Sequence, residues 1–286
     1  MSRKLSYIKF CLILLILPGI WAQQGNPGSG FAGLLVAPTR VVFEGRTRVV
    51  EMYLVNNSES TKTYAIGFEN FRIAASGAME RTDEPEDQSR SANDLLRITP
   101  RRVVLEPKKQ QVVRLQLVKS SGLTDGEYRS SIVFKIIPDS VADDVLASSP
   151  QEGISVNLIP VYGVVIPVIV RIGTTSAAVS LVDMVYSAAS GSDAPSLSFS
   201  ILRSGNRSVY GDIEVSYRAP GRKPIVVGRR KGLSVYSSAD RKNLKVSLLF
   251  PEGLSPLSGG EFTVRYIDSE EVKGKTLLAA ESLVLP

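Results

Sequence analysis

The sequence contains no histidine, and its single cysteine, Cys11, lies in an apolar stretch near the N-terminus. Histidine is the usual general acid or base at neutral pH, and zinc sites draw chiefly on histidine and cysteine. Both chemistries are therefore disfavoured, and no cofactor or metal is implied. Carboxylate chemistry stays open by composition. The acidic residues, however, gather in segments such as 83–87 and 143–144, the pattern of solvated loop faces. Gly274-Lys275-Thr276 resembles the end of a phosphate-binding loop, but Ser269 stands where the loop's first glycine belongs. The balance points to a protein that is not an enzyme. With no cysteine pair there is no internal disulfide, so stability must come from buried apolar surface. A length of 286 residues supplies chain enough for two cores. No stretch carries the apolar period of a long amphipathic helix.

What is present begins with an export pattern. Arg3, Lys4 and Lys9 precede an unbroken apolar run at residues 10–17, and Gly19 to Ala22 offers small residues for processing after Ala22. The run is short for a membrane span, and the sequence turns polar at once. Residues 1–22 are thus expected to be a signal peptide, and Cys11 is expected to leave with it. Removing its three positive charges lowers the formal net charge from +6 to +3. The basic balance is partly a targeting signal and gives no case for nucleic-acid binding.

From Leu34 onward, short Val/Ile-rich runs alternate with turn residues, the rhythm of an all-β chain. Strands are expected at residues 33–37, 40–43, 48–56, 62–72, 96–99, 102–105, 110–118, 126–137 and 154–172. In the stretch 110–118, Val113, Leu115 and Leu117 form an apolar face opposite a mixed one, as in a half-buried antiparallel strand. Residues 76–93 and 138–153 read as loops. Gly173-Thr174-Thr175-Ser176 reads as a hinge, after which strands are expected at 178–186, 196–204, 210–217, 225–234, 243–250, 261–268 and 277–285. Seven strands in about 110 residues suit an immunoglobulin-like sandwich. The expected units are residues 31–172 and 177–286. Asn56-Asn57-Ser58 and Asn206-Arg207-Ser208 match glycosylation acceptors, triplets that also arise by chance.

The segment 154–172, ISVNLIPVYGVVIPVIVRI, stands out. Ile154, Val156, Leu158, Tyr162, Val164, Ile166, Val168 and Val170 share one face at period two. Pro160 and Pro167 cannot donate ladder hydrogen bonds, which favours an edge or bulged strand. A long apolar edge is a hazard unless something pairs with it. A core strand sealed between two sheets is the other reading of such a run. Arg40 emerges beside Val41, Val42 and Phe43, where a guanidinium could hold a carboxylate bidentately or simply be solvated.

Several segments, taken in order, resemble the periplasmic chaperones of the chaperone–usher pilus pathway. They are Ala37-Pro38-Thr39-Arg40-Val41-Val42-Phe43, Tyr53-Leu54-Val55-Asn56-Asn57 with Tyr64, Ile98-Thr99-Pro100-Arg101, and Leu105-Glu106-Pro107. Gln110-Gln111-Val112-Val113-Arg114-Leu115, Glu127-Tyr128-Arg129-Ser130 and Phe134-Lys135-Ile136-Ile137-Pro138 continue the series. The C-terminal half matches more loosely, chiefly through Ser204-Gly205-Asn206-Arg207 and the final strand.

The resemblance implies two immunoglobulin-like β-sandwich domains in a boomerang and a periplasmic location. Its implied partners are pilus subunits and an outer-membrane usher, with no nucleic acid and no small-molecule substrate. It implies donor-strand complementation, a form of β-strand addition. The pilin-binding residues would be Ile154, Val156, Leu158, Pro160 and Tyr162. The family anchors a pilin's terminal carboxylate on two cleft cations. Arg40 matches the first, whereas Pro167 stands near the family's lysine, so Arg171, Lys135 or another cation would serve in its place, or the anchoring would be weaker. A structural or adhesive surface component built of the same domains is the alternative.

Overall fold

The computed structural model describes residues 33–73, 79–85, 87–119, 121–138, 161–252, 254, 256, 259–270 and 276–286. The expected signal peptide, Cys11 and the segment 139–160 lie outside the described residues.

Among the described residues ten strands build the first domain: β1 (Leu34–Ala37), β2 (Val41–Phe43), β3 (Val49–Asn56), β4 (Lys62–Ile73), β5 (Met79–Thr82), β6 (Leu96–Thr99), β7 (Arg102–Leu105), β8 (Gln110–Leu117), β9 (Gly126–Ile137) and β10 (Gly163–Ile172). One sheet runs β1-β3-β8-β6; the other runs β2-β10-β9-β4-β5, with β7 also on β4. The chain begins in one sheet, where β1 pairs antiparallel with β3, and crosses to the other, where β2 pairs parallel with β10. Arg40 sits at that crossing. Between the sheets, inward residues such as Leu54, Leu115, Ile132 and Phe134 are fully buried. Each such side chain contributes about 1.5–3 kcal/mol by leaving water. On β8, Val113, Leu115 and Leu117 face this core while Arg114 and Gln116 face solvent, as alternation predicts.

The second domain holds β11 (Ala177–Ser187), β12 (Ser196–Gly205), β13 (Val209–Arg218), β14 (Ile225–Val235), β15 (Arg241–Ser247), β16 (Glu261–Asp268) and β17 (Leu277–Val284). Its sheets run β11-β12-β15 and β14-β13-β16-β17. The chain is all-β, with two immunoglobulin-like sandwiches. An aromatic group knits the second core: Phe262 stacks on Tyr186 at 5.1 Å and tilts against Tyr217 at 4.9 Å, while Phe250 meets Tyr217 edge-on. Such pairs add about 0.5–1.5 kcal/mol each beyond burial. Tyr266 donates its hydroxyl to the Leu233 carbonyl at 2.8 Å, and burial, with Asp268 nearby, pushes its pKa well above the ordinary tyrosine value.

Two expectations shift. Residues 79–82, expected within a loop, form β5, where Arg72 of β4 grips Glu80 across the ladder. β15 lies two to three residues earlier than the expected 243–250; beyond it Leu248 donates to the Pro195 carbonyl, one step past β12, and Leu249 turns to that of Val227.

Asn56 is no glycosylation acceptor in this fold. It is fully buried, and its amide nitrogen donates to the carbonyls of Ser60, Leu105 and Glu106 at 2.8, 2.9 and 3.2 Å. Its Oδ1 accepts from the Ser58 backbone and hydroxyl. Replacing Asn56 by Ala orphans these groups, and urea denaturation should report a loss of about 3 kcal/mol. A loss within experimental error would mean that water substitutes for the amide.

The linker 173–176 is fastened at several points. Gly173 has φ 62°, and a Cβ there would stand 1.8 Å from Asp125 Oδ1. Asp125 accepts from Thr174 N–H at 2.9 Å, and Asn206 bonds both Ser176 N–H and the Thr174 carbonyl. The expected hinge is therefore a tethered crossing, with side chains from each domain holding its backbone.

Candidate functional site

β10 has two unequal flanks. Along one, β9 pairs with every residue from Gly163 to Ile172. Along the other, β2 pairs only with Val168, Ile169 and Val170. Among the described residues, no strand pairs with the β2-side edge of β10 from Gly163 to Pro167.

Ladder geometry says which groups that edge presents. Ile136 N–H donates to the Tyr162 carbonyl at 3.0 Å, continuing the β9 register one step beyond β10. In an antiparallel ladder, hydrogen-bonded pairs alternate with non-bonded ones. Val164, Ile166, Val168 and Val170 therefore bond to β9, while Gly163, Val165, Pro167 and Ile169 direct their backbone groups the other way. Ile169 meets β2. Pro167, without an N–H, falls in the class that does not serve β9, so it weakens nothing in that ladder.

The side chains alternate too. Val164, Ile166, Val168 and Val170 pack into the first core, as the period-two pattern predicts. Val165 and Pro167 line a shallow cleft with Phe71, Met79, Arg129, Ser131 and Tyr236. Tyr236 belongs to the second domain, and the Arg129 guanidinium lies 4.2 Å over its ring. Tyr162 is 46% exposed and Val161 57%, an apolar entry to the strand that water still covers. Ile154, Val156, Leu158 and Pro160 lie outside the described residues.

Arg40 and Arg171 are brought together at the domain junction, and both side chains are buried. Glu270, just past β16, lies between them. Its Oε1 takes Arg40 at 2.8 Å and its Oε2 takes Arg171 at 2.8 Å. Arg171 also meets Glu127 at 3.4 Å and Glu44 at 3.1 Å. Arg40 completes its shell with the hydroxyls of Ser208 and Ser234 and the ring of Tyr210, 4.8 Å below it. Glu127 is anchored by Ser208, whose N–H and hydroxyl donate to Oε2, while its buried Oε1 lacks a partner among the described residues. Burial alone would lower the Arg171 pKa; Glu270, Glu127 and Glu44 outweigh it and leave the group above its ordinary value. A polar cavity of about 200 Å³ adjoins the cluster, lined by Glu127, Arg129, Asn206 and Ser237 among others.

Of the cations singled out by sequence, Arg40 is buried and paired, and Lys135 pairs with Glu69 elsewhere on the sheet. Glu270, Glu44 and Ser208 carried no sequence signal. Glu127 stood within a matched segment, but its pairing with Arg171 could not be read there.

No family model matches the sequence, and no curated protein matches it. Solved structures do resemble the chain. The YadV chaperone shares 12% identity, with 88% of this chain and 100% of that one covered and a TM-score of 0.45. The Pseudomonas aeruginosa CupB2 chaperone shares 13%, with the same coverage and a TM-score of 0.46. The CsuC–CsuE chaperone–tip subunit complex of Acinetobacter baumannii shares 9%, covering 88% and 99%, with a TM-score of 0.43.

Proposed function

We propose that this protein is a periplasmic chaperone that holds pilus subunits by lending them a strand and delivers them to an outer-membrane usher. The single observation that carries this reading is the edge of β10 left unpaired over Gly163–Pro167 among the described residues. That edge offers the N–H and C=O of Gly163 and Val165, which recognise any extended backbone regardless of its sequence. Val164 and Ile166 pack into this domain's own core, so the described edge offers a subunit its ladder, and in this reading the core-filling side chains come from the segment N-terminal to it. In this reading the donor residues are Tyr162 and, outside the described residues, Ile154, Val156, Leu158 and Pro160. An exposed apolar edge is otherwise a liability, and lending it gives the feature a use. In this reading Arg40, with Arg171 behind it, anchors the subunit's terminal carboxylate. The ordered sequence segments support the same class of client.

Co-expression with a candidate pilin subunit tests the proposal. A one-to-one complex should appear in the periplasmic fraction and be lost with Val156→Asp or Leu158→Asp. A complex that survives both substitutions removes the strand assignment. Recovery of the protein in surface filaments would instead favour a structural or adhesive component.

A further inference from the structure

The carboxylate held between Arg40 and Arg171 comes from the chain itself. Glu270 follows β16 in a short turn, where its N–H donates to Asp268 Oδ1 at 2.7 Å. Ser269 N–H is fixed to the Tyr210 carbonyl, and Asp268 N–H to that of Thr276. The backbone of this turn is thus secured within the second domain, and from it the Glu270 side chain reaches both guanidinium groups across the junction.

Charge decides what else can enter. Glu44, Glu127 and Glu270 surround two arginines, so the cluster already carries one negative charge in excess. A further carboxylate would add to that excess in a site poorly screened by water. Entry therefore requires an occupant to leave. Glu127 is fully buried and tied to Ser208; Glu44 is half exposed and, among the described residues, is paired with Arg171 and not with Arg40, so its departure would leave Arg40 occupied. Glu270 is the occupant that bridges both arginines and that still reaches solvent, at 12% side-chain exposure. Once it swings out, Arg40 is left with two neutral hydroxyls and an aromatic face, and the cluster becomes neutral. That state is ready for one monoanionic carboxylate.

We propose that Glu270 is a resident surrogate for an incoming carboxylate, and that occupation of the site is an exchange of one carboxylate for another. Glu270 then sets both the strength and the selectivity of the site. A chain terminus or other unhindered carboxylate competes on equal chemical terms, whereas an amide cannot. The inference rests on the chaperone reading only in taking that carboxylate to be the client's.

The test uses the full chain with N-acetylglycine as probe and N-acetylglycinamide as control, following the Arg40 Nε–H resonance by NMR. If Glu270 fills the site about nine-tenths of the time, Glu270→Ala should bind N-acetylglycine about tenfold more tightly than the parent, with no saturable response to the amide. Glu270→Gln, which keeps the side-chain shape, should fall between the two. Equal affinity in parent and both variants overturns the inference, as does absence of any saturable shift. Unfolding of both variants would mark Glu270 as a structural strut and overturn it too. A pilin complex that forms normally while the probe shows no exchange sinks this inference and leaves the strand-lending reading standing. Exchange without pilin capture does the reverse.

Discussion

Arg171→Met should destabilise the protein by about 3–5 kcal/mol, the range seen when one partner of a buried ion pair is removed. The Arg171 side chain is 3% exposed, and Glu127 beside it is completely buried. Methionine fills much of the volume but leaves Glu127 charged, with only the Ser208 donors on one oxygen and none on the other. Glu270 keeps Arg40, so the damage concentrates on Glu127. Urea unfolding at neutral pH checks the loss. Adding Glu127→Gln to Arg171→Met removes the stranded charge and should recover part of the loss. A penalty under about 1 kcal/mol would mean that water reaches Glu127 once the arginine is gone.

The cluster joins groups far apart in sequence, which explains why the site was only half legible beforehand. Strands with clean period-two alternation were readable, as β8, β13 and β16 show, because a half-buried strand imposes its burial pattern on local sequence. β5 was not. Met79, Glu80, Arg81 and Thr82 offer no apolar face, and the strand exists because β4 supplies its ladder and Arg72 its ion pair. Arg40 was readable as a cation beside apolar residues, but its pairing was not. Its partner lies 230 residues away, and no local pattern encodes a contact across two domains. Of the two readings of Arg40, the solvated one fails because Glu270, Ser208 and Ser234 replace the water. Pro167 could be read as a mark of an edge strand. Which of the two edges it marks required the register with β9.

That register yields a pair of substitutions, one residue apart, with opposite expected consequences. Ile166→Pro should unfold the first domain. Ile166 belongs to the set that bonds β9, and its side chain is 1% exposed in the core. The change removes a ladder hydrogen bond and orphans its acceptor on β9, costing about 1–3 kcal/mol, and truncates a buried isoleucine for roughly 2–4 kcal/mol besides. Val165→Pro should leave the fold nearly intact, within about 1 kcal/mol, because position 165 points its N–H away from β9 and its side chain into an open cleft. Pro167, two residues on and of the same parity, is the natural control showing that the ladder accepts a proline ring there. What Val165→Pro removes is an edge donor, and it sets a ring where a guest strand would lie. Capture of a pilin subunit should therefore weaken about ten- to a hundredfold while thermal stability holds. If Val165→Pro proves as destabilising as Ile166→Pro, the far side of β10 is already paired within the folded chain. No strand would then be free to lend.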